Sequence, residues 1–543
     1  MRSYFEPIVR AVQRLAVCLV AITCSASQAA DWTQWGGGQY RNLVSRETGV
    51  PASFFPGKKA RDRLGFDPKT TKNVRWVVRL GSENYSGPVV ADGRVYIGTN
   101  DEDIDDPRFR PTRGGVLMCL DEKSGDLLWR LVVPRLEIDR KLVSEDFDDM
   151  NLGICSTPTV EGNRIYLITN RSEVVCLDVA GMANGNDGPF REEASFAVPG
   201  GAPPVEPGVR DADILWRFDM IRSLPIFPHD AANCSILVVG DHLYVGTGNG
   251  VYDGKVVLPT APSLIVLDKR TGRLLARDDG AISADVFHGQ WSSPTLSDSP
   301  AGKRIVFGGG DGLCHGFMPL AAGVQPGPKP ATLEKAWWFD CNPPGYRERN
   351  GEAIDYWALV RGGPRTLDAD GMLVSPNEII ASPVVVGERI YVGIGQDPVH
   401  GPGRGALSCI ALGGTGDVTK THRVWQYLGI GRALSTVAVA DGLVYAAEYA
   451  GKVHCLDADT GELQWFHDTR EEIWSSPCVV DGKVFIGTRK SLWVLAAARE
   501  KKALAEIKLG TPVWSNPCAA NKTLFVASQK NLWAVEEQGE MPQ

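Results

Sequence analysis

The chain has 543 residues, 43% of them hydrophobic and 22% charged, with 57 Lys and Arg against 65 Asp and Glu. A net charge of −8 argues against a nucleic-acid partner, which needs basic surface. The 60 glycines and 35 prolines suit many short strands and turns, and no segment after residue 30 keeps a clean helical period.

At the N-terminus, Arg2, Arg10 and Arg14 precede the apolar run Leu15–Thr23, and the small residues Ser25–Ala30 follow. This pattern predicts a secretory signal peptide over residues 1–29, cut after Ala29, with Ser27 and Ala29 meeting the small-x-small rule. The run is short for a membrane span and no other stretch is long enough. The mature chain is therefore expected in the periplasm, in the cell envelope or secreted, and not transmembrane. Cys24 offers a lipidation site, although Thr23 fits the lipoprotein cleavage rule poorly. Removing the segment takes the net charge to about −10.

From residue 74 on, the chain repeats itself. The pattern is Ser-x-Pro-x-Val, then Gly-x-hydrophobic-Tyr/Phe-hydrophobic-Gly, then Cys-Leu-Asp, then Thr-Gly-x-Leu-x-Trp. The plainest copy is Leu434–Trp465, whose four apolar runs are separated by Asp441-Gly442, Ala450-Gly451 and Asp459-Thr460-Gly461. Such runs predict a four-stranded antiparallel meander that cannot bury its faces alone. Other copies begin at Ser86, Ser156, Ser235, Ser292, Ser382, Ser475 and Ser515. The last copy lacks a fourth strand, while an orphan strand, Val74–Leu80, precedes the first. Together they predict a ring closed by the N-terminal strand: a single all-β, eight-bladed β-propeller over residues 74–535. Residues 30–73 form an extension packing on the ring through Trp32 and Trp35, and residues 536–543 a short tail.

Cys119, Cys176, Cys409 and Cys455 share one slot of the repeat, and Cys478 and Cys518 another. Recurrence in register marks small buried hydrophobes rather than a dense disulfide framework, although one or two bridges remain open. Asp121, Asp268 and Asp457 precede tight turns and read as turn residues, not catalytic acids.

The Asp-x-x-Thr-Gly-x-x-x-Trp stretch at Asp457–Trp465, with Ser in place of Thr at Asp121–Trp129, resembles the tryptophan-docking motif of the pyrroloquinoline quinone (PQQ) repeat family. That family includes quinoprotein alcohol and glucose dehydrogenases and non-enzymatic BamB-like propellers. The segments Asn184–Phe190, His288–Pro294, Gly308–Gly312 and Gly395–His400 resemble those of secreted PQQ-binding-like propellers. The resemblance implies a binding or protein-interaction scaffold, with BamB-like envelope assembly as one form. The alternative is a dehydrogenase oxidising alcohols or sugars with PQQ and calcium. The dehydrogenases resemble one another in an adjacent Cys-Cys pair and in a Glu/Asn/Asp calcium set; this chain has no Cys-Cys and no Cys-x-x-Cys-His.

Long loops cluster on one face of the first five units, at Asn100–Gly115, Val133–Ile154, Asp219–Asn233, Asn249–Ser263, Arg277–Gln290, Asp340–Ile380 and Gly395–Arg404. Elaborated loops on a rigid scaffold are where a small-molecule or peptide partner is expected. Tyr85, Trp291, Trp474 and Trp514 each stand three residues before a first-strand proline or its equivalent, around the channel mouth. They either plug the funnel or offer flat surface to a planar ligand. His229, Asp230, His288, Gln290 and Asp311 are candidate polar contacts nearby. The eight histidines show no metal-ligand spacing, so no metal site is expected from sequence. The acidic runs Asp101–Asp106 and Asp146–Asp149 read as solvated loops without a complete calcium-binding motif.

Overall fold

The computed structural model describes residues 30–59, 65–300, 302–360, 362, 367–368 and 370–537. The predicted signal peptide, Cys24 and nearly all of the predicted tail lie outside the described residues. Eight antiparallel sheets form eight blades in chain order. Blade one runs Val89–Ala91, Arg94–Asn100, Gly115–Asp121 and Leu127–Val133. Blades three and four gain a two-residue fifth strand, Ala331–Thr332 and Gly416–Asp417, paired parallel at the outer edge. The ring closes as the repeat count requires. Val74–Arg79 pairs antiparallel with Asn531–Val535, so the last blade borrows its outer strand from the first.

The repeat residues fall in register for physical reasons. The first hairpin of a blade turns on Asp441-Gly442, Asp481-Gly482 or Asp92-Gly93, with both residues at positive φ, the geometry that matches strand twist. Across blade one, Tyr96 faces Cys119 and Cys119 faces Trp129; Tyr445, Cys455 and Trp465 repeat the row in blade six. The flanking rings sit 6.0 and 6.1 Å apart by centroid in these two blades. A small side chain fits between them, which explains the recurrent cysteine. The ten cysteines of the described residues are all buried and free.

The Thr-Gly turn joins neighbouring blades. Gly461 has φ +74°, and a Cβ there would stand 2.6 Å from Trp425 of the preceding blade; at Gly272 the distance to Trp216 would be 2.3 Å. Trp425 and Trp465 also donate their indole N–H to a carbonyl of the next blade, to Ala458 at 3.1 Å and to Ala498 at 2.9 Å. Asp121, Asp268 and Asp457 accept two backbone N–H bonds each from these turns.

Around the channel the Ser-x-Pro serines stitch the inner strands together. Ser156 donates to Cys234 O at 2.9 Å, Ser435 to Ser475 O at 2.7 Å and Ser475 to Ser515 O at 2.9 Å. The following hydroxyl accepts from the preceding blade, as Thr436 Oγ1 does from the Ser382 amide at 2.9 Å.

The extension does more than pack on the ring. It threads across one end of the channel and bonds to the inner strand of every blade. Trp32 pairs with Val90, and Thr33 O accepts from Val160 N. Gln39 reaches Val238 O and Leu296 N, Tyr40 O accepts from Val385 N, and Asn42 bonds both backbone groups of Val439. Leu43 O accepts from Val479 N, and Ser45 donates to Ala519 O. Arg41, fully buried, holds the turn by donating to the carbonyls of Pro294, Trp35, Ser235 and Ile236 and to Gln34 Oε1. Burial pulls its guanidinium down to about 10. The channel is therefore a blind funnel.

Candidate ligand-binding funnel

The open end of the funnel holds a cavity of about 1030 Å³. Its wall takes residues from the blade-connecting loops of the elaborated face, and its deeper part carries inner-strand hydroxyls such as Thr157, Ser293 and Ser476. Tyr85, Trp291, Trp474 and Trp514 all line it, each half-buried. They frame the cavity and leave it open. Trp35 of the extension and Trp357 of the long blade-four insertion add two further rings.

Of the polar residues picked out by sequence, His229, Asp230 and His288 reach the wall, while Gln290 and Asp311 do not. Gln290 is buried and ties two loops together, donating to Ser263 Oγ at 3.0 Å and accepting from Gly310 N at 3.0 Å. Asp311 pairs inside blade four with His315 Nε2, 3.0 Å away. Both are structural.

His229 and His288 come from two successive blade connections and flank one carboxylate. His229 Nε2 lies 3.2 Å from Asp230 Oδ1, and His288 Nε2 lies 3.4 Å from Asp230 Oδ2. Behind them, His400 Nε2 is 2.9 Å from His288 Nδ1, and Asp397 is 3.9 Å from His288 Nε2. The His229 and His288 rings meet edge to face at 4.5 Å, and Trp291 lies 5.1 Å from His288. Glu378, fully enclosed, accepts from the Asp397 and Gly289 amides.

Burial alone would keep His288 neutral, yet its bond to Asp230 and the charges of Glu378 and Asp397 push it up to about 9. Asp230 is opposed by burial too, but His288 and His229 hold its carboxyl below the usual range. Burial, with the His288 charge nearby, lowers His229 to about 4 and His400 to about 3. Burial raises Glu378 to about 8. The cluster thus sets the His288–Asp230 pair beside Asp397 and the imidazoles of His229 and His400, whose charging burial disfavours.

Asp397, His400, Glu378 and Trp357 were not singled out from sequence, and Trp35 was expected only to pack the extension on the ring. His400 stands 112 residues from its partner His288. The one available signal was the Gly395–His400 stretch, marked for its resemblance and not for chemistry.

Apart from His288, the charged side chains of the wall are acidic. Glu145, Asp146, Asp230, Asp253 and Asp397 line the cavity, and among the described lining residues there is no Lys or Arg. PQQ carries three carboxylates, which call for cationic partners. Calcium prefers oxygen donors, whereas the Asp230 and Asp397 carboxylates here are interleaved with the imidazoles of His229 and His288. These residues do not fit PQQ with calcium.

Residues 65–180 and 417–539 match the family model described as outer membrane protein assembly factor BamB. Within these stretches the repeat is similar to that family's. The matched stretches include the plain blades six to eight and leave out blades three to five, where the loops are longest. Among solved structures, the chain is similar to a europium-containing methanol dehydrogenase, at 12% identity and a TM-score of 0.54, over 92% of this chain and 90% of that one. It is also similar to BamB from Moraxella catarrhalis, at 12% identity and a TM-score of 0.49, over 87% and 99%. The likeness to the methanol dehydrogenase shows the fold and no activity. A comparison with curated proteins finds no match. Among the described residues no helix is long and apolar enough to cross a membrane.

Proposed function

We propose that this BamB-like propeller is an exported binding module whose funnel takes a neutral or cationic small molecule with a flat ring. One observation carries the reading: a blind cavity of about 1030 Å³ framed by half-buried aromatic rings and five carboxylates, with no Lys or Arg on its described wall. A cation over an indole face gains about 0.5–2 kcal/mol, and nearby carboxylates add attraction that salt screens. Export rests on the residue pattern of positions 1–29, and a place in the envelope on the BamB likeness. A peptide-holding role in envelope assembly is the other scaffold reading, but a pocket blind at one end suits a compact ligand better than an extended strand.

The test is a fluorescence titration of the purified protein with proflavine, a planar cation, and in parallel with PQQ plus calcium. Saturable tryptophan quenching by proflavine is expected at one equivalent, weakened by salt and by the Glu145→Gln/Asp253→Asn double substitution. PQQ is expected to leave the protein unquenched. Tight stoichiometric PQQ binding without proflavine binding would sink the proposal and restore the dehydrogenase reading.

A further inference from the structure

We infer that His229, Asp230 and His288 form a binding site for one divalent first-row transition ion, zinc being the first candidate. Their ligand atoms all lie within 4.8 Å of one another, with one nitrogen or oxygen offered by each residue. A tetrahedral zinc ion with bonds of about 2.0–2.1 Å holds neighbouring ligand atoms about 3.3 Å apart. The two nitrogen-to-carboxylate separations, 3.2 and 3.4 Å, are close to that length but run to the two different oxygens of Asp230. Turning the carboxylate and the two rings would bring one oxygen and two nitrogens, already within 4.8 Å of one another, onto a single ion.

Three features distinguish this cluster from an ordinary surface group. His229 and His288 are buried, at 8% and 6% exposure. Both ring nitrogens of His229 lack a hydrogen-bond partner of good geometry within the protein, Nε2 standing beside the Asp230 carboxylate at 3.2 Å. His400 holds the far nitrogen of His288 at 2.9 Å, which orients the ring and leaves Nε2 facing Asp230. The donor set also selects the ion. Two imidazoles and one carboxylate suit zinc, iron or copper, and neither calcium nor magnesium takes such a set.

All three residues line the funnel. Three protein ligands leave a further coordination position, and here it opens onto the aromatic-walled cavity. A bound ion would hold a donor atom of the small molecule beside Trp291. The inference deepens the binding-module reading by placing an anchoring point inside the same pocket.

The test uses untagged protein, stripped with chelator, exposed to zinc and desalted, with metal counted by mass spectrometry. One equivalent of zinc is expected, with cobalt giving the intense visible bands of a four-coordinate centre. His229→Ala and His288→Ala should each lose the ion. His400→Ala should weaken it roughly 10–100-fold, as expected for a positioning residue. His422→Ala, on the exposed edge of blade five, should retain a full equivalent. Wild-type protein retaining no zinc, or no more than the His229→Ala/His288→Ala double variant, overturns the inference, and the wild-type result decides even if a variant fails to fold. No organic ligand is present, so failure here is separate from failure of the dye titration.

Discussion

Arg41→Met removes the charged fork that fastens the extension across the channel while keeping much of its volume. The wild-type guanidinium makes five hydrogen bonds, four of them to backbone carbonyls. Ile236 O keeps a second donor in Thr159 Oγ1 at 2.7 Å, so about three carbonyls lose their side-chain donor. Each orphaned group costs about 1–3 kcal/mol, partly offset because the buried charge and its desolvation are gone. We expect a net loss of about 3–5 kcal/mol, confined first to the extension, since the blades keep their own ladders. Hydrogen exchange reads this locally. The amides of Trp32, Val44 and Ser45, all hydrogen-bonded in the extension, should exchange roughly 150–5000-fold faster. Amides of the inner ladder in blades six and seven should change little. Protection of the extension unchanged within threefold would refute the role given to Arg41. So would uniform loss throughout the ring, which would make Arg41 a global core residue instead.

Two further outcomes follow from particular contacts. Gly461→Ala should destabilise by about 2–4 kcal/mol in denaturant unfolding, because the methyl meets Trp425 at 2.6 Å on a backbone at φ +74°. Gly442→Ala, at φ +73° with nothing within 4 Å, should cost only about 1 kcal/mol, and equal losses at the two sites would remove the docking argument. Asp213 is fully buried and burial raises its carboxyl from 3.8 to about 6. The folded state therefore holds the proton more tightly than the unfolded chain. Stability from this group is full below about pH 4 and is lost as pH rises through about 6, a swing of about 3 kcal/mol. Asp213→Asn should thus match wild type near pH 4 and exceed it near pH 7; a stability difference that does not grow over that interval would contradict the sign.

The repeat made the architecture legible from sequence. Strand length, Asp-Gly turns, Thr-Gly-x-Leu-x-Trp and the orphan Val74–Leu80 strand are local signals, and each reports a need every blade shares: a tight turn, a small residue between rings, a tryptophan over a glycine. Eightfold repetition separates them from noise. The aromatic residues of the funnel were legible for the same reason, since Tyr85, Trp291, Trp474 and Trp514 hold one position in the repeat and so share one height in the channel.

Residues outside the repeat have no such register, and tertiary structure alone decided their roles. Nothing near Arg41 in sequence announces that it will bind carbonyls 194 and 253 residues away and close a channel. The Ser-x-Pro serines were visible as a pattern, but their bonds run to the next blade and appear only once blades are side by side. Gln290 and Asp311 resemble His288 in loop position, yet packing turns them into the scaffold. His229, His288 and His400 belong to different connections, and no spacing rule can pair side chains whose separation is set by blade curvature. The sequence by itself determined the ring, because each blade's chemistry is local. The occupants of its mouth were decided by the fold, because the loops meet only after the ring has closed.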